Sequence, residues 1–109
     1  MSALRTPIPI TATSTMAADS TPLCTVAGEI DIRSVDALRT ALAGTLREGA
    51  TVIVDLSGVT FFGTPGLRAL IDARVWAAQH DCTLWIVGSP CVKRLLEVMD
   101  LADDFGILH

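Results

Sequence analysis

Charged side chains are scarce in this sequence, and positive charge is scarcer than negative. Asp, Glu, Lys and Arg make up 18% of the 109 residues, and the formal net charge is −4. An average soluble protein has ~25% charged residues. Nucleic acids and anionic membrane surfaces are bound by basic patches. We therefore expect a protein that binds neither nucleic acid nor an anionic membrane surface.

The sequence also lacks a hydrophobic run long enough to cross a membrane. Its longest stretch without a charged side chain, residues 6–18, contains prolines and falls short of the ~18 apolar residues that a spanning helix needs. Arg5 near the N-terminus is not followed by the apolar core of a signal peptide. Cys24, Cys82 and Cys91 are an odd number without close pairing, which indicates buried thiols in a reducing compartment. We expect a cytoplasmic protein without direct membrane insertion.

Groups that carry catalysis or bind metal are missing as well. His80 and His109 are far apart, with no Cys or carboxylate at ligand spacing. The glycine-rich stretch 58–66 lacks the lysine of a phosphate-binding loop. Asp55 lies near the end of a predicted strand, where a receiver domain has its phosphoacceptor. A receiver domain also needs a lysine after a later strand, and the single lysine of this sequence, Lys93, lies inside a predicted helix. The sequence therefore predicts no metal, no cofactor and no enzymatic activity.

Apolar residues, in contrast, are abundant. They make up 50% of the chain, and the mean hydropathy is +0.52. Such a composition supports a well-packed core at this length, or a smaller core with an apolar surface left for a partner. We expect residues 1–7 to form a flexible tail and residues 8–109 to form a single domain.

Hydrophobic periodicity predicts alternating strands and helices. Ser34, Thr64 and Ser89 are predicted N-caps, the last two followed by proline at the first helical position, and Gly49 is predicted to end the first helix. The runs 51–56 and 83–87 are nearly continuously apolar, which is typical of strands covered on both faces. Further strands are predicted at residues 8–14, 23–27 and 105–108, the first of them at a sheet edge because of Pro7 and Pro9. Val75 and Met99 are predicted on the apolar stripes of the second and third helices. The pattern predicts an α/β fold: a small mixed β-sheet of four to five strands, opening with a hairpin, packed against three or more α-helices.

The segment Gly63-Thr64-Pro65-Gly66-Leu67 follows an apolar loop predicted at residues 59–62 and opens the second helix. A hydroxyl cap followed by proline is a common helix start and needs no further role. A phosphate on that hydroxyl would, however, meet backbone N–H groups and the positive end of the helix dipole. It would add a charge of about −1.5 to −2. Both interpretations of Thr64 stay open on these residues alone.

Taken in order, four segments resemble the motifs of a STAS domain, the fold of bacterial anti-sigma factor antagonists. They are a Gly-Glu-hydrophobic-Asp turn at residues 28–31, a central strand at 52–56, a loop and helix start at 61–67, and the start of the last helix at 89–96. In that family the third segment usually reads Asp-Ser-Ser/Thr-Gly-Leu and carries the phosphorylation site. The resemblance covers about residues 22–108.

This resemblance implies a regulatory switch rather than an enzyme. The unphosphorylated domain of the family binds an anti-sigma factor, which is also an ATP-dependent serine/threonine kinase, and so frees a sigma factor. Phosphorylation breaks the complex and a phosphatase restores it. By position, the phosphoacceptor falls on Thr64. The partner-binding residues that the resemblance implies are Glu29, Asp31, Phe62, Gly63, Pro65, Gly66, Leu67 and Arg68.

Two departures from the family motif leave alternatives open. Gly63 stands where the aspartate is usual, and Pro65 replaces the second hydroxyl and removes an N–H. Thr64 is therefore either the acceptor or an unused residue in a member that binds its partner constitutively. STAS domains also serve as subunits of lipid or anion transport systems that dock on an ATPase or membrane component, which is a second functional hypothesis. A small enzyme or nucleotide-binding protein is a third, opposed by the missing catalytic groups.

Overall fold

Strands and helices alternate along the chain, as the sequence predicts. The computed structural model describes residues 10–108. The expected tail at 1–7 and the first residues of the strand predicted at 8–14 lie outside that range. The elements are β1 (Thr11–Met16), β2 (Pro22–Ile30), α1 (Val35–Thr45), β3 (Thr51–Phe62), α2 (Thr64–Gln79), β4 (Thr83–Gly88), α3 (Pro90–Val98) and β5 (Gly106–Leu108).

The five strands form one mixed sheet in the order β1-β2-β3-β4-β5. β1 is antiparallel to β2, and every other neighbouring pair is parallel. The opening hairpin turns at Ser20, which has a φ of 69°, and Asp19 accepts a hydrogen bond from the Thr21 amide at 3.1 Å. This architecture confirms the predicted α/β fold class, including the hairpin and the position of β1 at an edge.

Among residues 10–108, helices cover one face of the sheet only, so the prediction of strands covered on both faces is wrong for this part of the chain. In β3, Val52, Val54 and Leu56 are buried in the core, whereas the intervening residues are exposed or half-buried. In β4, Ile86 is buried but the Trp85 side chain is 37% exposed. The apolar runs concealed a strand alternation of period two, because isoleucine, valine and tryptophan occupy part of the outer face as well.

β3 is longer than predicted and absorbs the expected loop at residues 59–62. Its first half pairs with β2 and β4, and its second half pairs with β2 alone. Two register shifts in the β2–β3 pairing each insert one extra residue into β3. Gly58 lies at the first shift, where a Cβ would stand 2.8 Å from the Ala27 Cβ. Residues 28–30, expected to be a turn, are instead the bulged end of β2, with Gly28 at a φ of 106°.

Helix boundaries follow the predicted caps with two corrections. Ser34 and Ser89 are N-caps as expected. α1 ends at Thr45 rather than at Gly49, since Leu46 is extended and the Arg47 guanidinium donates to the Thr45 carbonyl at 2.8 Å. α2 begins one residue earlier than predicted, with Gly63 as its N-cap and Thr64 already its first residue.

The core lies between the covered face of the sheet and the helices. Its fully buried side chains include Ile30, Leu38, Leu56, Leu70, Ile86 and Leu96. On α2 the buried stripe is made largely of small residues, and Val75, which the sequence placed on the apolar face, is exposed. Met99, expected to extend the apolar stripe of α3, is exposed beyond the end of that helix. Among residues 10–108, no helix combines the length and the hydropathy needed to cross a membrane.

Gly66 allows the close approach of α2 to the end of β2. A Cβ at this position would lie 2.7 Å from Phe62 Cε1 and 2.8 Å from Ile30 Cγ2, and both of those side chains are buried. We expect Gly66→Ala to lower the free energy of unfolding by about 1–2 kcal/mol, because overpacking outweighs the gain in helix propensity. Chemical denaturation measures the change.

Gly44→Ala is the matched control, since Gly44 lies in α1 and a Cβ there would meet only ordinary contacts, the nearest at 3.5 Å from Ser14 Oγ. We expect this variant to gain about 0.5–1 kcal/mol from helix propensity. Equal effects of the two substitutions would contradict the packing role of Gly66.

Candidate functional site

The carboxyl end of β2 and the start of α2 are joined by a backbone hydrogen bond. The Gly63 N–H donates to the Ile30 carbonyl at 3.0 Å. Carboxyl ends of parallel strands share one edge of a sheet, and the helices that follow begin there. The bond therefore places the loop at residues 31–34, which leads into α1, beside Thr64, which opens α2.

Asp31 holds the 31–34 loop in shape. Its Oδ1 accepts from the backbone amides of Arg33 at 2.9 Å and Ser34 at 3.2 Å. The Ser34 hydroxyl donates to the Glu29 carbonyl at 2.7 Å and accepts from the Asp31 amide at 3.0 Å. These bonds satisfy polar groups of the loop and fix its path without a regular element. Asp31 is thus an organising residue of the site.

The charge of Asp31 is stabilised by the same contacts. The Arg33 guanidinium donates to Asp31 Oδ2 at 3.1 Å, and this hydrogen bond, followed by the one from the Arg33 amide, holds the pKa of the Asp31 carboxyl below its ordinary value. Both donors favour the ionised form. The loop is therefore most ordered when Asp31 carries its charge.

A groove runs between the first turns of α1 and α2, and we call it the α1–α2 groove. Its floor is apolar, and charged side chains of both signs stand at its sides. Thr64 lies at its rim, exposed to solvent. The residues that line the groove are Ile32, Val35, Asp36, Arg39, Thr64, Pro65, Leu67, Arg68, Ile71 and Met99.

Two large apolar side chains that line this groove, Ile32 and Met99, were missed as site residues in the sequence. Ile32 is 74% exposed in the 31–34 loop, and Met99 is 49% exposed at the end of α3. Phe61 is 51% exposed, and its ring lies close to the Gly63 backbone at the start of α2. The signal for Ile32 was present, as an isoleucine between charged residues in a loop has no strand or helix face to bury it. Phe61 and Met99 were assigned to an apolar loop and a helix stripe.

Thr64 is surrounded differently from what its sequence position suggested. Pro65 has no N–H, and the amides of Gly66 and Leu67 donate to the Gly63 carbonyl at 3.1 and 3.2 Å. The first-turn amides are therefore engaged rather than turned toward the Thr64 hydroxyl. Arg68, one helical turn further on, is exposed and supplies a positive side chain on the same face.

The partner-binding residues implied by the sequence divide into two groups. Arg68 is exposed, and Glu29, Asp31, Gly63 and Pro65 are half-buried. Phe62, Gly66 and Leu67 are buried, where they support the groove from below. The structure brings all of these residues to one end of the sheet.

Comparison with known proteins identifies the family of this chain. A family model described as Mlab, STAS domain, matches residues 13–109. The chain belongs to the STAS domain family. No curated protein sequence matches it significantly.

Two solved structures have a similar fold. An anti-sigma factor antagonist from Mycobacterium paratuberculosis matches with a TM-score of 0.75 and 24% identity, over 94% of this chain and 89% of that one. An antisigma-factor antagonist STAS domain from Rhodobacter sphaeroides matches with a TM-score of 0.56 and 20% identity, over 89% of this chain and 95% of that one. At sequence identities this low, the structural similarity shows a shared fold and no more.

The lowered pKa of Asp31 gives a titration test of the loop. We expect Arg33→Ala to raise the Asp31 pKa toward its ordinary value, because the largest stabilising contact is lost. In the unaltered protein, the contribution of Asp31 to stability is present above its unfolded-state pKa. It is lost as the pH falls through the lower folded-state pKa. NMR titration of the Asp31 side-chain carboxyl measures its pKa in the unaltered protein and in Arg33→Ala.

Arg39→Ala is the control for that titration, as Arg39 forms the other described ion pair, with Asp72 at 3.0 Å, and makes no described contact with Asp31. An Asp31 pKa that responds equally to both variants would contradict the loop geometry.

Proposed function

We propose that this STAS domain is an anti-sigma factor antagonist-like regulatory protein. Its α1–α2 groove binds an anti-sigma factor of the serine/threonine kinase type, and Thr64 is the residue whose phosphorylation weakens that complex. The observation that carries the proposal is the juxtaposition of exposed Ile32 and Met99 with the Thr64 hydroxyl on one groove. The family membership and the antagonist structures of similar fold support the general kind of activity.

The groove has the chemistry of a protein-binding surface. Large apolar side chains in the centre of a contact provide most of its free energy, and charged side chains at the rim set its orientation. Ile32 and Met99 can supply the apolar centre, and Asp36, Arg39 and Arg68 the charged rim. Asp31 fixes the loop that presents Ile32, so little conformational entropy is lost on binding.

A phosphate on Thr64 would change this surface strongly. It would add about −1.5 to −2 charge at the rim of a groove whose centre is apolar. Arg68, exposed one helical turn from Thr64, favours the phosphate in the free protein. Docking of a partner would have to desolvate that charge, which costs binding free energy. Phosphorylation would therefore stabilise the unbound state.

Ile32 provides the first test. We expect Ile32→Asp to weaken binding to purified kinase-type anti-sigma factors of the source organism by about tenfold or more, since an apolar anchor that the complex would bury becomes a charge. Its high exposure means that stability is little changed. Isothermal titration calorimetry measures the affinity. Val75→Asp makes the same chemical change on an exposed part of α2 outside the groove and should bind normally. Failure of both the unaltered protein and Val75→Asp to bind would overturn the proposal.

Thr64 provides the second test. Incubation with the kinase and Mg-ATP should add one phosphate, visible as a change in intact mass. Thr64→Ala should abolish this addition, and Thr64→Glu should weaken binding by about tenfold through its charge. Thr60→Ala, at an exposed hydroxyl near the end of β3, is the control and should be phosphorylated normally. If the intact mass stays unchanged while binding is tight, the phosphorylation switch is contradicted and constitutive binding is the conclusion.

A transport subunit is the second candidate function. The matching family model is described by the name Mlab and not as an antagonist, which supports a branch of the family outside sigma regulation. In that case the groove would dock on the ATPase or membrane component of a lipid or anion transport system. Co-purification with such a component, at a groove sensitive to Ile32→Asp but with no affinity for anti-sigma factors, would favour this candidate.

A further inference from the structure

Within the described residues 10–108, the outer edge of β1 is an unprotected strand edge. Among residues 10–108, only β2 pairs with β1, and their register is regular over all six residues. Natural proteins block such edges with charge, proline or a bulge. β1 reads TATSTM and contains none of these, and residues 10–18 carry no charged side chain. Five of its six side chains are exposed.

The edge is also held rigidly. The buried Thr45 hydroxyl of α1 donates to the Ala41 carbonyl at 2.7 Å and accepts from the Ser14 hydroxyl at 2.8 Å. These contacts tie β1 to α1, so a partner strand would meet a backbone that is already extended and ordered. Little conformational entropy would be lost on pairing.

The flank of α1 beside β1 consists mostly of small, uncharged residues. A shallow groove between the two elements is lined by Ala12, Ser14, Asp36, Ala37, Thr40, Ala41 and Gly44. Asp36 is the only charged residue of this lining and lies at the start of the helix. A second polypeptide paired with β1 could therefore approach α1 closely along most of its length.

We propose that β1 pairs with β1 of a second copy of this chain, in antiparallel orientation, to form a continuous ten-stranded sheet across a twofold axis. Each chain has a net charge of −4, so two copies repel over most of their surfaces. The β1 edge is a surface where they can meet without facing like charges. The twofold axis also makes the two α1 helices antiparallel, which puts the two Asp36 side chains at opposite ends of the contact.

The size of the contact sets its strength. A six-residue strand is about 20 Å long, and a strand layer with one helix is about 20 Å high. Each chain would thus contribute about 400 Å², which falls in the class of weak and transient interfaces. Threonine pairs across the new strand pair add to the ladder hydrogen bonds. The expected assembly is a concentration-dependent dimer, and the α1–α2 groove, on the other flank of α1, stays open in both copies.

Sedimentation velocity on the full chain, up to about 1 mM, tests the proposal. We expect a monomer–dimer equilibrium and a dissociation constant raised about tenfold or more by Thr40→Glu, which places a charge on the small flank of α1. Thr13→Lys, on β1 itself, should act in the same direction. Ala43→Glu adds the same charge to the opposite flank of α1 and should dimerise normally.

Three outcomes would overturn the proposal. The first is a monomer at every concentration. The second is a dimer that tolerates both Thr40→Glu and Thr13→Lys, with thermal melting showing that the variants are folded. The third is a dimer broken by Trp85→Lys instead, which would place the contact on the uncovered face of the sheet. Hydrogen exchange provides a direct readout, since β1 amides facing outward should gain protection as dimer forms.

Discussion

The Gly63 N–H to Ile30 carbonyl hydrogen bond is the constraint on which the candidate site depends. It closes the far end of the β2–β3 pairing, beyond the point where β3 leaves β4. The two register shifts before it bend β3 and turn Val59 and Phe62 inward three residues apart. Gly66 then lets α2 rest directly against Phe62 and Ile30. A residue larger than glycine at position 66 would move the start of α2 away from the 31–34 loop.

The position of α2 beside the 31–34 loop explains why this domain, which has few charged residues, presents a distinct apolar groove. Most of the apolar side chains are consumed by the core between the sheet and the helices. Among the large apolar side chains that stay exposed, Ile32 and Met99 line the α1–α2 groove and Phe61 lies near the start of α2. The Asp31 carboxylate accepts hydrogen bonds from backbone amides of the loop. The site is thus a shaped apolar surface with the Thr64 hydroxyl at its rim.

α1 connects this site with the rest of the surface. One of its flanks faces α2 and the α1–α2 groove, and the other faces the unprotected edge of β1. The two flanks differ in chemistry: the first carries Arg39 in an ion pair with Asp72, and the second carries Ala37, Thr40 and Gly44. A contact between copies at β1 would leave the groove accessible, so self-association and partner binding would be compatible in one assembly.

The sequence by itself determined the order of the elements, the edge position of β1, the caps at Ser34 and Ser89, and the position of Thr64 at the start of a helix. These follow from local chemistry: periodicity, proline and capping preferences act within a few residues. Only the tertiary structure decided that one sheet face is left uncovered by residues 10–108, that Phe62, Gly66 and Leu67 are buried, and that Ile32 and Met99 border the same groove. Burial and juxtaposition depend on which distant segments pack together, and an isolated apolar run reads the same whether a helix covers it or not.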